Sequence, residues 1–309
     1  MYSAIFKLQT EGKRMNKQHK LNILDTRLEI DGLERPLTIL QVTDLHLINT
    51  DAGDSEEIQA LRRTYSEWAP YSNEILEDIG EYCQTEKPDA VVFTGDICGF
   101  PTRKNLNILK NFLEQKCPPY LFVFGNHERF FTLRDFTPEM QRHYTAMYSF
   151  TGQGEFGIQT MNLAGIRLIG IDNSNNQISF EQLNKLEKLF SDNLPCILFF
   201  HVPMYLPALL QPVMDAWKQP FMMGSPISAV PDMNKDLIPT ASTEVFIKLL
   251  TTQPTPVQAR FAGHIHFFDR QDEFFPGKKQ YVTPMAPTLN GCGLVRRIQL
   301  VPHNGHSRK

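Results

Sequence analysis

The stretch LTILQVTDLH, from Leu37 to His46, decides how the rest of the chain is interpreted. Its first six residues are mostly aliphatic or β-branched, which predicts a buried strand. Asp44 and His46 follow that strand directly and are two positions apart. In a strand-end loop, an aspartate and a histidine at this spacing can turn toward one ligand. The stretch therefore predicts a strand with a candidate ligand-binding pair at its carboxyl end.

Four further apolar runs end in the same way. The runs and the polar clusters that follow them are Ala90–Phe93 with Gly95-Asp96, Tyr120–Phe124 with Gly125-Asn126-His127-Glu128, Cys196–Phe200 with His201, and Val257–Ala262 with Gly263-His264-Ile265-His266. The chain has 9 histidines in total, and most of them fall in these clusters. Each cluster alone is a common turn sequence. Together, and in this order, they predict one shared site.

The side chains in these clusters are of the kinds that bind divalent metal ions. Carboxylate, imidazole and carboxamide groups without a thiolate suit Mn, Fe, Zn, Co or Ni. Two such ions about 3.5–4 Å apart can clamp a phosphoryl group and activate a water molecule for in-line attack. The glycines before Asp96 and His264 allow the backbone to pass close to the ions. A binuclear metal centre is therefore the first hypothesis.

The order of the predicted elements indicates an α/β fold. The first half reads strand–helix–strand–helix–strand, with helices expected over about 54–86 and 105–116. In a mainly parallel sheet the carboxyl ends of the strands lie along one edge, where ligands bind. In the second half, 156–163 and 166–171 resemble an antiparallel pair, and Ser179 to Gln182 forms a capping box that opens a helix.

We expect one domain over residues 27–301, between a loose N-terminal arm (1–26) and a polar tail (302–309). Asp31-Gly32 suits a type I′ turn, so residues 27 to 33 and beyond read as a hairpin. The segment 203–240 is rich in Pro, Met and aromatic residues and lacks a clean period. Such a segment is either a lid beside the site or an ordinary surface excursion.

Composition limits the partners and the compartment. The net charge of −3 and the pI of about 6.3 provide no basic field, so nucleic acid is an unlikely partner. Five scattered cysteines and the lack of an apolar signal segment point to reduced thiols in the cytoplasm. The apolar runs are too short for a transmembrane helix. The oligomeric state is left open.

The complete ordered set of clusters, spanning residues 44–266, resembles the calcineurin-like metallophosphoesterases. The resemblance implies a four-layer α/β-β/α sandwich with two central mixed sheets and the metal site at the strand carboxyl ends. It implies one ion held by Asp44, His46, Asp96 and His266, and a second held by Asp96, Asn126, His201 and His264. His127 would stand outside the metal shell as a general acid near the leaving-group oxygen.

One departure from the pattern concerns the residues after Asp96. In the protein Ser/Thr phosphatases of this superfamily the motif continues into a further Asp and an Arg, whereas here it reads Gly95-Asp96-Ile97-Cys98-Gly99. The chain is more similar to the small bacterial phosphodiesterase and phosphatase branches. The residue that orients His127 is not identified by the sequence; Glu128 is adjacent but can point elsewhere.

The expected function is a phosphodiesterase or phosphomonoesterase that acts on a small-molecule phosphate ester with two divalent ions, Mn, Fe, Zn or Ni. A metal-bound hydroxide would attack phosphorus, and His127 would assist departure of the alcohol. The alternatives are a metal-dependent nuclease and, from a different class, a non-catalytic binding module on the same fold.

Overall fold

The computed structural model describes residues 21–129, 137–152, 154, 157–226, 237–266, 269–288 and 291–303. Most of the expected N-terminal arm and of the polar tail lies outside these ranges, as do residues 227–236 of the expected lid. No helix within the described ranges is long and apolar enough to cross a membrane.

Two mixed sheets form the centre of the molecule. The first sheet has the order β1-β11-β2-β3-β4, with strands β1 (Leu21–Ile30), β2 (Leu37–Val42), β3 (Ala90–Thr94), β4 (Tyr120–Val123) and β11 (Gly293–Pro302). The second has the order β5-β6-β7-β8-β10-β9, with β5 (Ile158–Leu163), β6 (Ile166–Ile171), β7 (Cys196–Phe199), β8 (Val257–Ala262), β9 (Arg270–Phe275) and β10 (Lys278–Val282). Strands β2, β3 and β4 run parallel, as do β6, β7, β8 and β10.

Helices cover the outer faces of both sheets. They are α1 (Glu56–Tyr65), α2 (Ser72–Glu86), α3 (Arg103–Gln115), α4 (Pro138–Met147), α5 (Phe180–Phe190), α6 (Pro207–Trp217) and α7 (Ala241–Thr252). Helices α2 and α3 pack on the first sheet, and α5, α6 and α7 pack on the second. The predicted capping box is confirmed, because Ser179 and Gln182 each bond the other's backbone N–H at the start of α5.

A central core joins the two sheets. In β2, Ile39 packs into the core between the sheets, and its neighbour Leu40 packs under the helices of the first sheet. This alternation is the period of two that a strand imposes on its side chains. A strand that is buried on both faces has a continuous run of apolar residues, and the central strands of this protein have such runs in the sequence. The predicted α/β sandwich with two mixed sheets is therefore confirmed.

Several predicted boundaries are wrong. The expected hairpin does not form, because β1 pairs in parallel with β11 and the antiparallel partner of β2 is also β11. Residues 21–26, assigned to the arm, belong to β1. Residues 54–86 hold two helices, α1 and α2, instead of one. The segment 203–240 is not wholly irregular, since α6 begins at Pro207 and continues through Pro212.

Candidate metal centre

The five polar clusters lie where the two sheets present their strand carboxyl ends. Asp44 follows β2, Asp96 follows β3, and Asn126 and His127 follow β4 in the first sheet. His201 follows β7 and His264 follows β8 in the second. Because β2–β4 and β7–β8 run parallel within their sheets, each set of loops emerges along one edge.

The backbone of these loops is bent in an unusual way. Asp44, His46, Asp96, His264 and His266 all have positive φ, between 51° and 69°. Non-glycine residues seldom adopt this left-handed conformation, and it is retained where the surroundings enforce it. Hydrogen bonds between neighbouring loops enforce it here: the Asp44 N–H donates to the Gly95 carbonyl oxygen at 2.9 Å, and the His46 N–H donates to the Asp96 carbonyl oxygen at 2.9 Å.

The two glycines singled out in the sequence, Gly95 and Gly263, lie where neighbouring loops pack so closely that a side chain would clash. A Cβ on Gly263 would stand 2.3 Å from the Asp44 carboxylate Oδ2. A Cβ on Gly95 would stand 2.6 Å from the backbone nitrogen of Gly125 and from the His201 ring. No side chain fits at these distances, so both positions let the loops converge.

A first group of potential metal ligands consists of Asp44, His46, Asp96 and His266, with one ligand atom from each lying within 4.8 Å of the others. The His266 Nε2 lies 3.3 Å from the His46 Nε2 and 3.3 Å from the Asp44 Oδ1. Within the described residues, the buried Asp44 Oδ1 accepts no hydrogen bond. A carboxylate oxygen left without a donor beside two imidazole nitrogens fits a cation.

A second group consists of Asp96, His201 and His264, and one ligand atom from each also lies within 4.8 Å of the others. The His201 Nε2 lies 3.1 Å from the Asp96 Oδ2, 3.1 Å from the His264 Nδ1 and 3.2 Å from the Asn126 Oδ1. The other ring nitrogen of His201, Nδ1, is 2.8 Å from the Thr94 carbonyl oxygen. That contact places the proton on Nδ1 and leaves the Nε2 lone pair facing the group.

The electrostatics of the site favour positive charge. Burial lowers the pKa of His201, but the Asp96 carboxylate outweighs burial and raises it to about 10. Burial raises the pKa of Asp44, but its contact with His266 and the charge of His201 bring it down to about 2. Burial lowers the pKa of His264 to about 3, so this imidazole stays neutral. The negative charge of the two carboxylates, which favours the protonated form of His201, is the charge that a bound metal ion would neutralise in place of that proton.

His127 is oriented by a backbone atom. Its ring Nδ1 lies 2.8 Å from the Gly99 carbonyl oxygen, so Nδ1 carries a proton that is donated to that oxygen. Its backbone N–H donates to the Asp96 Oδ1 at 2.9 Å. The free ring nitrogen, Nε2, lies 3.8 Å from the Asp96 Oδ2 at the edge of the site. The orienting partner that the sequence left unidentified is thus the carbonyl of Gly99.

The side chain of Glu128 holds the loop that carries Asp96. Its Oε2 accepts the N–H groups of Asp96 at 2.7 Å and Gly125 at 2.8 Å. Its Oε1 accepts those of Ile97 at 2.7 Å and Cys98 at 3.0 Å. Burial and the charge of Asp96 raise the pKa of Glu128 to about 7, and the backbone donors oppose that rise. Nothing in the sequence separates this role from that of an ordinary loop glutamate.

We expect Glu128→Gln to weaken the Asp96 loop, because a carboxamide has only one acceptor oxygen for these donors. The free energy of unfolding should fall by about 1 kcal/mol, as for the loss of other buried hydrogen bonds. Metal affinity should fall about 10- to 100-fold, as when a ligand's supporting group is lost. Urea unfolding and metal titration measure these effects. The exposed Glu81→Gln is the control, and a Glu128→Gln protein indistinguishable from it would contradict the assigned role.

Hydrogen bonds from a neighbouring loop also hold the backbone at His201 in place. The side chain of Asn173 accepts the backbone N–H groups of His201 and Val202, both at 3.0 Å, and donates to the Val202 carbonyl oxygen at 2.7 Å. The neighbouring Asp172 forms an ion pair with the buried Arg129. Arg129 also donates to the hydroxyl of Ser174 at 3.1 Å. The residue after the Asn-His-Glu motif therefore fixes the loop that positions His201.

We expect Asp172→Asn to lower the free energy of unfolding by about 2 kcal/mol at neutral pH, since it removes a buried hydrogen-bonded carboxylate that pairs with the Arg129 charge. Burial raises the pKa of Asp172, but Arg129 and Ser174 outweigh burial and lower it. The stabilisation is therefore present above the unfolded pKa of about 3.9 and is lost as the pH falls through the lower folded value. Urea unfolding at pH 7 and at pH 3 tests this: the wild type and the variant should differ at pH 7 and converge in acid.

The structure brings all eight residues predicted for the site into one cluster. They are Asp44, His46, Asp96, Asn126, His127, His201, His264 and His266. Their individual roles stay predictions. Sequence reasoning missed the aromatic residues around them: Trp68 stacks on His266 with ring centroids 5.6 Å apart, and Tyr65 lies 5.5 Å from His127.

Comparisons with known proteins agree with this architecture. The α/β sandwich and the clustered Asp and His side chains are those of a phosphoesterase that uses metal ions. The sequence model described as calcineurin-like phosphoesterase matches residues 37–267. The chain therefore belongs to the calcineurin-like phosphoesterase family. A search of curated proteins gives no match.

Solved structures align with the chain at low sequence identity. A dimetal phosphatase from Danio rerio aligns with a TM-score of 0.51 and 13% identity over 81% of this chain and 87% of its own. A purple acid phosphatase from yellow lupin (Lupinus luteus) seeds aligns with a TM-score of 0.45 and 15% identity over 87% and 44%. A phosphopantetheinyl hydrolase from Mycobacterium tuberculosis aligns with a TM-score of 0.40 and 15% identity over 82% and 91%.

Proposed function

We propose that this protein hydrolyses phosphoric esters with two divalent metal ions. The observation that carries the proposal is that Asp96 belongs to both groups of potential ligands. Within each group the ligand atoms lie within 4.8 Å of one another. One carboxylate shared by two donor sets is the arrangement that holds two ions side by side. Membership of the phosphoesterase family supports the same reaction class.

The proposed ligands divide between two ions. Asp44, His46, Asp96 and His266 hold one; Asp96, Asn126, His201 and His264 hold the other. The absence of thiolates from both sets favours Mn, Fe, Zn or Ni. When bound, such ions supply Lewis acidity, which lowers the pKa of water and neutralises charge on phosphoryl oxygens.

The residues of the chain place the substrate and move the proton. His127, fixed through Nδ1 by the Gly99 carbonyl, presents Nε2 beside Asp96. From there it donates a proton to the alcohol oxygen as the phosphorus–oxygen bond breaks. Asp96 also accepts the backbone N–H of His127, which keeps the ring close to the site. The burial of Asp44, His46 and His201 excludes bulk water from beneath the reacting group.

The substrate in this proposal is a small phosphate ester, a monoester or a diester, and the reaction takes place in the cytoplasm. The five free thiols of the structure agree with a reducing compartment. The net charge of −3 argues against nucleic acid as the substrate, since no excess of positive charge is available to hold the phosphate backbone.

The described part of the 203–240 segment, which includes α6, acts in this proposal as a wall of the substrate pocket.

The experiment that tests the proposal is a panel of phosphomonoesters, phosphodiesters, DNA and RNA, each assayed with Mn, Fe, Zn and Ni after the protein has been stripped of metal. Metal content is measured on the protein as isolated. We expect two ions per chain and metal-dependent hydrolysis of at least one small ester. Cleavage of DNA or RNA alone would replace the proposal with a nuclease. Metal binding without turnover on any substrate would indicate a binding module.

A further inference from the structure

Two aromatic side chains from α6 and the segment after it stand at the opening of the site. Of the clustered side chains, His127 and His266 reach solvent, with 10% and 11% of their surface exposed, whereas Asp44 and His201 are fully buried. The Trp217 ring lies 5.4 Å from that of His266, and the Phe221 ring lies 5.9 Å from that of His264. Both aromatic rings are half-buried. We call Trp217 and Phe221 the aromatic pair.

The aromatic pair is held in place. The Trp217 Nε1 donates to the Ile265 carbonyl oxygen at 3.4 Å, which ties the indole to the loop between His264 and His266. The two rings meet nearly edge to face, with centroids 5.8 Å apart and an interplanar angle of 75°. A bridge between Met204 and Met223 joins the segment after Phe221 to the segment after His201. Rings fixed before binding cost little conformational entropy when a ligand stacks on them.

Among the described residues, two basic side chains that adjoin α6 have partners within the protein. Lys218 follows Trp217 directly, but its Nζ donates to the Asp215 carbonyl oxygen at 2.8 Å. Arg270 bonds the Asp272 carboxylate at 3.3 Å. The surface beside the metal ligands therefore presents aromatic faces and edges, which favour an aromatic partner over a second phosphate or a carboxylate.

We propose that the aromatic pair binds an aromatic group carried by the esterified alcohol of the substrate, so that Trp217 and Phe221 determine specificity. This inference rests on the proposed function, because the pair can select a substrate only if the adjacent cluster binds the phosphoryl group. It narrows the substrate class to phosphate esters with a flat ring a few atoms from phosphorus.

The test uses non-hydrolysable phosphonates, so that binding is measured apart from turnover. Ethylphosphonate, cyclohexylmethylphosphonate and benzylphosphonate are titrated calorimetrically into the metal-loaded protein. We expect benzylphosphonate to bind about 10-fold more tightly than ethylphosphonate, in line with the stacking and burial of one ring. Cyclohexylmethylphosphonate should bind more weakly than benzylphosphonate, because it buries a similar area without a π system.

The variants are Trp217→Ala and Phe221→Leu, the second of which keeps apolar volume and removes only the ring. In both variants the ratio of the affinity for benzylphosphonate to the affinity for ethylphosphonate should fall from about 10 toward one. The control is Phe180→Ala, which removes an aromatic side chain that is 57% exposed at the start of α5. Circular dichroism and metal content show whether each variant folds.

The outcomes separate the two proposals. Equal binding of ethylphosphonate and benzylphosphonate, or of benzylphosphonate and its cyclohexyl analogue, would overturn the inference and leave the proposed function standing. Failure of the metal-loaded wild type to bind any of the phosphonates would overturn the proposed function, and the inference with it.

Discussion

Asp96→Asn should abolish turnover and reduce the amount of metal that the protein retains. The carboxylate is shared by both groups of potential ligands, and its Oδ2 lies 3.1 Å from the His201 Nε2. A neutral carboxamide removes one of the two negative charges that hold the cations. A loss of roughly 4 kcal/mol of charge stabilisation corresponds to a rate roughly 1000-fold lower at 1.36 kcal/mol for each factor of ten. Metal analysis and steady-state kinetics on the best ester of the panel measure both effects.

The matched control for this variant is Asp31→Asn. Asp31 is an exposed aspartate that precedes a glycine with a φ of 77°, and Asn-Gly is as compatible with that turn as Asp-Gly. The control should keep full activity and metal content. An Asp96→Asn protein with unchanged activity would contradict the mechanism, and one that loses activity but keeps both ions would confine Asp96 to a role in the reaction.

His127→Ala should fold and bind metal normally, yet turn over slowly. The Nε2 of His127 lies outside both ligand groups and 3.8 Å from Asp96, where it can protonate a departing oxygen. General acid catalysis contributes about 100- to 10,000-fold. The loss should lie in this range for alkyl esters, whose alkoxides are poor leaving groups, and should be much smaller for a p-nitrophenyl ester, which departs without a proton.

The comparison that decides this prediction is the dependence of the rate on the pKa of the leaving alcohol. The slope should be steeper in His127→Ala than in the wild type, whereas a residue that only shapes the pocket would leave the slope unchanged. His143→Ala, which replaces an exposed histidine on α4, is the control. Equal slopes in the variant and the wild type would remove His127 from the role of general acid.

The clusters were predictable because local sequence determines both the strands and the polar residues at their ends. The run Val257–Ala262 is a strand with the predicted bounds, and Gly263 and His264 follow it in the converging loops. Parallel strands then bring residues that are far apart in sequence to one sheet edge without any further signal. This rule accounts for the clusters within each sheet, whereas the choice of the eight site residues, which leaves out Glu128, was made from the resemblance to the family.

Contacts made by backbone atoms and pairings between strands far apart in the chain could not be predicted from local sequence. The partner of His127 is a carbonyl oxygen, which every residue possesses, so no side chain could indicate it. The predicted hairpin at Asp31 was wrong because the residues of a turn indicate only the local geometry of the backbone. The partner strand of β1 lies far away in the chain, at residues 293–302. Helix α6 was missed because Pro212 interrupts the apolar pattern, although Pro207 at its first turn is a favourable start.

The position of β11 between β1 and β2 has a consequence for synthesis of the protein. While the ribosome is still translating residues before Gly293, β1 has no partner strand and β2 is paired only with β3, so the first sheet exposes unpaired edges. Such edges invite association between nascent chains. A chain truncated before Gly293 should therefore accumulate as aggregate.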